Sequence, residues 1–180
     1  MSTNERKHKA HAVNGKLAVA ILLLAGGSSL AEQTSPSAYR MAVIKDDAYG
    51  RVMMSGDYHK GIEKISSYRY KKGRTFAAQN NLCVAYTLTR EFADATSACD
   101  TALSISERYV RHRSSPISPF TSRDLALAYS NRGVLRAVTG DADGARQDFE
   151  SAARANTDMQ AANENLARLK ASQATAVSSL

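Results

Sequence analysis

The sequence predicts an all-α fold, with helical hairpins stacked in a row and a single helix closing the stack. Three observations carry that prediction. First, Tyr49, Cys83, Gly133 and Ala167 lie in register: the step from Tyr49 to Cys83 equals that from Gly133 to Ala167, and the middle step is longer by an insertion of 16. A fixed period of about 34 residues fits a two-helix unit that cannot bury its apolar face alone and must stack on a neighbour. Second, apolar residues within the units recur at spacings of three and four, the signature of one helical face. Third, Pro36, Pro116 and Pro119, the three prolines of the chain, all fall outside the units, as proline must if those units are helical.

Residues 1–31 read as a targeting segment rather than as part of the fold. Arg6, Lys7, Lys9 and Lys16 precede an apolar run from Leu17 to Ala25, followed by Gly26, Gly27, Ser28, Ser29, Leu30 and Ala31. The run is shorter than the roughly 20 residues of a membrane span, and Ser29 and Ala31 are small where a signal peptidase needs them. Residues 1–31 are therefore expected to be a secretory signal cleaved after Ala31, with a periplasmic or secreted product. If uncleaved, the segment would anchor the protein in the inner membrane. No cysteine follows the run, which argues against a lipoprotein. Removing residues 1–31 takes away four of 24 basic and one of 17 acidic side chains, leaving a net charge of +4. That balance lacks the concentrated basic face of a nucleic-acid binder, so no nucleic-acid partner is expected.

About 150 residues remain, one domain by length. Residues 32–41 read as a linker, 42–171 as the repeat domain, and 172–180 as a disordered tail. The clearest unit spans about Thr75 to Ser106. Its first half places Leu82, Ala85 and Tyr86 on one face, and its second half places Phe92, Ala95, Cys99, Ala102 and Leu103 likewise. The break at Arg90-Glu91 is short, so the two helices should be antiparallel neighbours. In the next unit Gly133, Ala145, Phe149 and Ala152 hold the places of Cys83, Ala95, Cys99 and Ala102. Gly140 should end its first helix, and Asp141 should cap its second by accepting free N–H groups. Upstream, Gly56, Asp57 and Tyr58 repeat this turn, with Gly61 and Ile65 in matching places. Downstream, Asn165, Leu166 and Ala167 match Asn81, Leu82 and Cys83, in a closing helix from about Asp158 to Ala171.

These residues resemble the tetratricopeptide repeat (TPR) family. Its pattern sets a small residue of the first helix against a small residue of the second, then an aromatic one turn on and an alanine near the hairpin's end. Gly133 with Ala145, Phe149 and Ala152 follows it, as do Leu82-Cys83 with Tyr86, Ala95 and Ala102. The resemblance covers roughly residues 42–170 and implies a superhelix of about three units. Tyr49, Arg90, Arg136 and Thr157 depart from the pattern. Tyr49 is large for its place, so the first unit is expected to be splayed, or shifted with Gly50 in the small-residue role. The resemblance also implies a concave strip for a protein or peptide partner, here Met53, Met54, Asn80, Val84, Thr87, Leu88, Ser130, Val134 and Val138. Asn80 and Ser130 could bond a peptide backbone. Asn81 and Asn131 suit the carboxylate clamp of some TPR proteins, but Leu127 stands where that clamp needs a lysine, so no such clamp is expected. The closing helix, the insertion or a second subunit could equally cover the strip.

The insertion, near residues 108–123, should lengthen the preceding helix as far as Arg113, form a loop over Ser114–Pro119, and begin the next helix near Arg123 with Ser122 as its cap. Two basic clusters each follow the second helix of a unit: Arg69, Lys71, Lys72 and Arg74, and Arg108, Arg111 and Arg113, with His112. Cations at helix C-termini favour the helix dipole. The alternative is a single basic patch for a membrane surface or an anionic envelope polymer.

Cys83 and Cys99 fall in the two helices of one hairpin, both facing inward. An exported chain with an even cysteine count favours a bridge, although Ala95, not Cys99, is the register partner of Cys83. A disulfide and a pair of buried thiols both remain open. His8 and His11 lie in the targeting segment, while His59 and His112 are isolated. No phosphate loop, nucleophile–histidine–acid set or metal cluster is apparent, so neither enzymatic activity nor a cofactor or metal is expected. The function the sequence supports is a non-enzymatic interaction module of the bacterial cell envelope. The alternatives are a self-associating structural repeat (a homo-oligomer), a binder of anionic polymer or lipid, and, less favoured, a small helical enzyme or metal-binding domain.

Overall fold

The structure is a computed structural model. It describes residues 38–45, 49–67, 74–111 and 119–178, and the backbone alone at 119–120 and 176–177. Residues 1–31, which the sequence suggests as a targeting segment, lie outside these residues. The described residues form seven helices and no strand, all in one compact unit: α1 (Gly50–Met54), α2 (Tyr58–Ser66), α3 (Phe76–Thr89), α4 (Phe92–Arg111), α5 (Pro119–Val138), α6 (Ala142–Ala155) and α7 (Gln160–Ser178). Each helix packs on the next in the chain. In addition α1 packs on α3, α3 on α5, and α5 on α7. The odd-numbered helices thus line one side of the molecule, a side to which the even-numbered ones do not contribute equivalent contacts.

Local sequence explains where the helices begin and end. Thr75, Asp57 and Asp141 cap α3, α2 and α6, their side chains accepting the N–H groups of Ala78, Lys60 and Gly144 at 3.2, 3.2 and 2.9 Å. The turns between paired helices contain Gly56, Arg90 and Gly140, with φ of 84°, 65° and 92°. The spacing of these three turns matches that of Tyr49, Cys83 and Gly133, so the period seen in the sequence recurs in backbone conformation. Arg90 adopts the left-handed form despite carrying a side chain, which is uncommon outside glycine, asparagine and aspartate.

The core follows the small-residue pattern. Cys83, Ala95 and Cys99 are buried between α3 and α4, and Ala145, Phe149 and Ala152 between α5 and its neighbours. A Cβ at Gly133 would come within 2.7 Å of Phe149 Cε1, so the absent side chain is what lets α6 lie so close to α5. The Sγ atoms of Cys83 and Cys99 are at disulfide distance, with Cα atoms 4.7 Å apart, inside the usual range for a bridge. The offset from Ala95 therefore does not prevent pairing.

Several boundaries differ from the sequence reading. α5 starts at Pro119, so Ser122 lies inside the helix and is not its cap. Proline is tolerated in a first turn because its missing N–H would have no intrahelical acceptor there. α4 is described as far as Arg111, and residues 112–118, where the sequence suggests the end of that helix and most of the loop over Ser114–Pro119, lie outside the described residues; α4 and α5 have 20 residues each. α7 continues through residues 172–178, where the sequence suggests a disordered tail. This stretch lacks glycine and proline, and nothing in it stops a helix. The first unit is short, α1 having five residues. A Cβ on Gly50 would collide with the Ile44 carbonyl, so its missing side chain makes room for the segment before α1.

Candidate functional site: an asparagine ladder across α3, α5 and α7

Residues 39–45 have no regular helix and cross the face made by the odd-numbered helices. In an extended chain the N–H and C=O of one residue point to the same edge, and alternate residues share an edge. Arg40, Ala42 and Ile44 therefore present their peptide groups together, and one asparagine meets each. Asn165 of α7 accepts the N–H of Arg40 at 2.8 Å and donates to its carbonyl at 2.7 Å. Asn131 of α5 does the same to Ala42 at 2.9 and 2.9 Å. Asn81 of α3 holds Ile44 at 2.8 and 3.1 Å. A primary amide offers an acceptor and donors side by side, so each asparagine stands in for a residue of a neighbouring strand. The orientation of each amide is fixed, because turning it over would set NH2 against N–H and oxygen against oxygen.

The three asparagines share one register, each two positions before a member of the series Cys83, Gly133 and Ala167. All three are fully buried, as is Asn80, whose Nδ2 donates to the Ala42 carbonyl at 3.0 Å and whose Oδ1 accepts from Asn131 at 2.9 Å. A buried amide without partners costs about 1–3 kcal/mol, so four of them on one face require a backbone to bond. The place of Asn80 is taken in α5 by Ser130, whose buried hydroxyl makes no hydrogen bond. In α7 it is taken by Glu164, which pairs with Arg40 at 2.9 Å. Arg168 donates to the Ala38 carbonyl at 2.6 Å.

Side chains of the segment fill apolar sites on either hand. Tyr39 packs with Val134, Val138, Phe149 and Leu169, its ring stacked on Phe149 with centroids 6.2 Å apart. Met41 and Val43 join the cluster containing Met53 and Leu82, while Ala42 and Ile44 face that of Leu103 and Leu127.

This arrangement revises the expected binding strip. Met53, Asn80, Val84, Thr87, Ser130, Val134 and Val138 are buried, Leu88 is half-buried and Met54 is exposed. The face is covered, in part by Leu169 of the closing helix beside Val134 and Val138, and along the asparagines by another occupant. It is the chain's own residues 38–44, part of which the sequence suggests as a linker. Of the strip, Asn80 bonds that backbone, whereas the buried hydroxyl of Thr87 donates within its own helix to the Cys83 carbonyl. The residues that sequence reasoning missed are Asn81, Asn131 and Asn165 acting as a set. Their shared register was visible, as was the alternation of Tyr39, Met41 and Val43.

Two polar features lie elsewhere. Arg132 holds the buried Asp148 through two bonds, at 2.9 and 2.8 Å, and also reaches Asp100 at 3.0 Å. Arg136 bonds Asp148 from a second direction at 3.1 Å. Burial opposes the charge on Arg132, but the bonds to Asp148 and then Asp100 outweigh it and hold its pKa above the ordinary arginine value. Burial, reinforced by Glu107, raises the pKa of Tyr129. Arg74 and Arg108, one from each basic cluster, line a common cavity of about 340 Å³ with Ile105 and Tyr109. Arg111 is exposed, and Arg69, Lys71, Lys72, His112 and Arg113 lie outside the described residues. No group of three or more metal-ligating side chains is present among the described residues, and no described helix is long and apolar enough to cross a membrane.

Compared with protein-family models, with curated proteins and with solved structures, the chain matches none.

Proposed function

We propose that this chain is a TPR-type interaction module of the bacterial cell envelope, exported by residues 1–31, which binds a polypeptide in extended form across α3, α5 and α7. The observation that carries the reading is the asparagine ladder. Three buried amides in one register each take both the N–H and the C=O of every second residue in an extended chain. Such contacts grip backbone regardless of sequence and leave the choice of partner to the side-chain sites around them, as in strand addition to a sheet edge. The paired Cys83 and Cys99 agree with an oxidising compartment.

The test uses residues 32–180 carrying Ala42→Pro, which removes the N–H given to Asn131 and loosens the resident segment. A labelled peptide with the sequence of residues 38–45 should bind this variant, and adding Asn131→Leu should abolish the binding. If the folded Ala42→Pro protein takes up no peptide, the reading is wrong.

A second reading has one observation in its favour. Arg74 and Arg108 come from separate stretches of sequence yet line one cavity, which suits an anionic envelope polymer or lipid surface. Such binding would weaken steeply with salt.

A further inference from the structure

We infer that residues 38–44 are a tethered pseudo-ligand: the face of α3, α5 and α7 is freed when this segment lets go, and an extended stretch of another polypeptide then replaces it. The inference rests on the peptide-binding reading above and specifies how that site is regulated and what enters it. The incoming segment runs from α7 towards α3, as residues 40 to 44 do. It carries an aromatic side chain at the place of Tyr39, to stack on Phe149, and apolar ones at the places of Met41 and Val43.

Three features mark the segment as replaceable, although its Tyr39 reaches into the core. Its bonds along this edge are made to side chains, so it can leave without breaking the backbone bonds of any helix. The ladder reads main chain, so a second polypeptide satisfies the same amides as well as the first. The match is also incomplete: Ser130, in the place where Asn80 reaches the occupant from α3, is left buried without a partner.

Hydrogen–deuterium exchange on unmodified residues 32–180 is the decisive measurement. The amides of Arg40, Ala42 and Ile44 should exchange through openings far more frequent than those exposing the amides of Val134 and its neighbours in α5. Saturating peptide of residues 38–45 should deprotect them further. The same peptide should bind Ala42→Pro at least about tenfold more tightly than the unmodified chain, because the resident segment lowers the fraction of competent molecules. Exchange of the three amides only with the slowest core amides would overturn the inference, by showing that the segment leaves only on global unfolding. Equal affinity for both proteins would also overturn it, while leaving the peptide-binding reading intact. Absence of binding to folded Ala42→Pro would remove that reading itself. Should Ala42→Pro fail to fold, exchange on the unmodified chain decides alone.

Discussion

Asn131 and Ala42, far apart in the chain, share a pair of hydrogen bonds at 2.9 Å each, one through each end of the asparagine amide. The same Nδ2 also reaches Asn80. Replacing Asn131 with leucine keeps the volume but strands the Ala42 N–H and the oxygen of the fully buried Asn80. At about 1–3 kcal/mol for each stranded group, Asn131→Leu should lower unfolding stability by about 2–6 kcal/mol in urea titrations. A loss below about 1 kcal/mol, less than one stranded group costs, would show that the face readily rearranges around the missing amide.

The pairing of Cys83 with Cys99 should be detectable without a structure. Oxidised protein in guanidinium should show no free thiol until reductant is added. Closing a chain segment with a sequence separation of 16 contributes about 3 kcal/mol in the loop-entropy model. Unfolding in the presence of reductant should therefore be easier by roughly that amount, with the Cys83→Ala/Cys99→Ala double variant resembling the reduced protein.

Gly133 faces the ring of Phe149, which is fully buried and stacked on Tyr39. Alanine is ordinarily better than glycine inside a helix by about 1 kcal/mol, but overpacking costs about 1–3 kcal/mol. Gly133→Ala should be net destabilising, and Gly133→Val much more so. Restoring space with Phe149→Leu should rescue part of the valine variant's loss in thermal unfolding, which a mere propensity effect would not allow.

Asp148 is 2% exposed and takes bonds from both Arg132 and Arg136. Removing Asp148 takes away these charged hydrogen bonds but leaves Arg132 its bond to Asp100 and Arg136 its pairing with Asp141, a loss of about 1.5–3 kcal/mol. Asp148→Ala should fall in that range in urea titrations and should change little with added salt. Arg146, whose partners Asp143 and Glu150 are exposed or nearly so, is the contrast. Arg146→Ala should stay within about 0.5 kcal/mol of the unmodified chain.

Much of the fold was legible because its signals are local. Gly140 before Asp141, and Gly56 before Asp57, mark turn and cap within two residues. The face of Phe92, Ala95, Cys99 and Ala102 announces a helix within three turns. Boundaries were missed where the local signal is permissive: Pro119 both starts helices and breaks them, and residues 172–178 hold nothing that forbids helix. The occupied face was missed for a different reason. Residues 40–44 are extended without a neighbouring strand, and their partners lie 37, 89 and 125 residues away. Asn80 and Ser130 stand out in the sequence as able to bond a peptide, but nothing local says that the peptide is the chain's own.

The ladder also sets a unit of length. From one odd-numbered helix to the next the held backbone advances by two residues, whether or not the intervening hairpin carries the insertion. The face therefore behaves as a ruler graduated in dipeptides. A longer array of the same hairpins would measure out a longer strand in steps of two, and a unit whose asparagine is lost would leave one dipeptide unread without shifting the count of those beyond it.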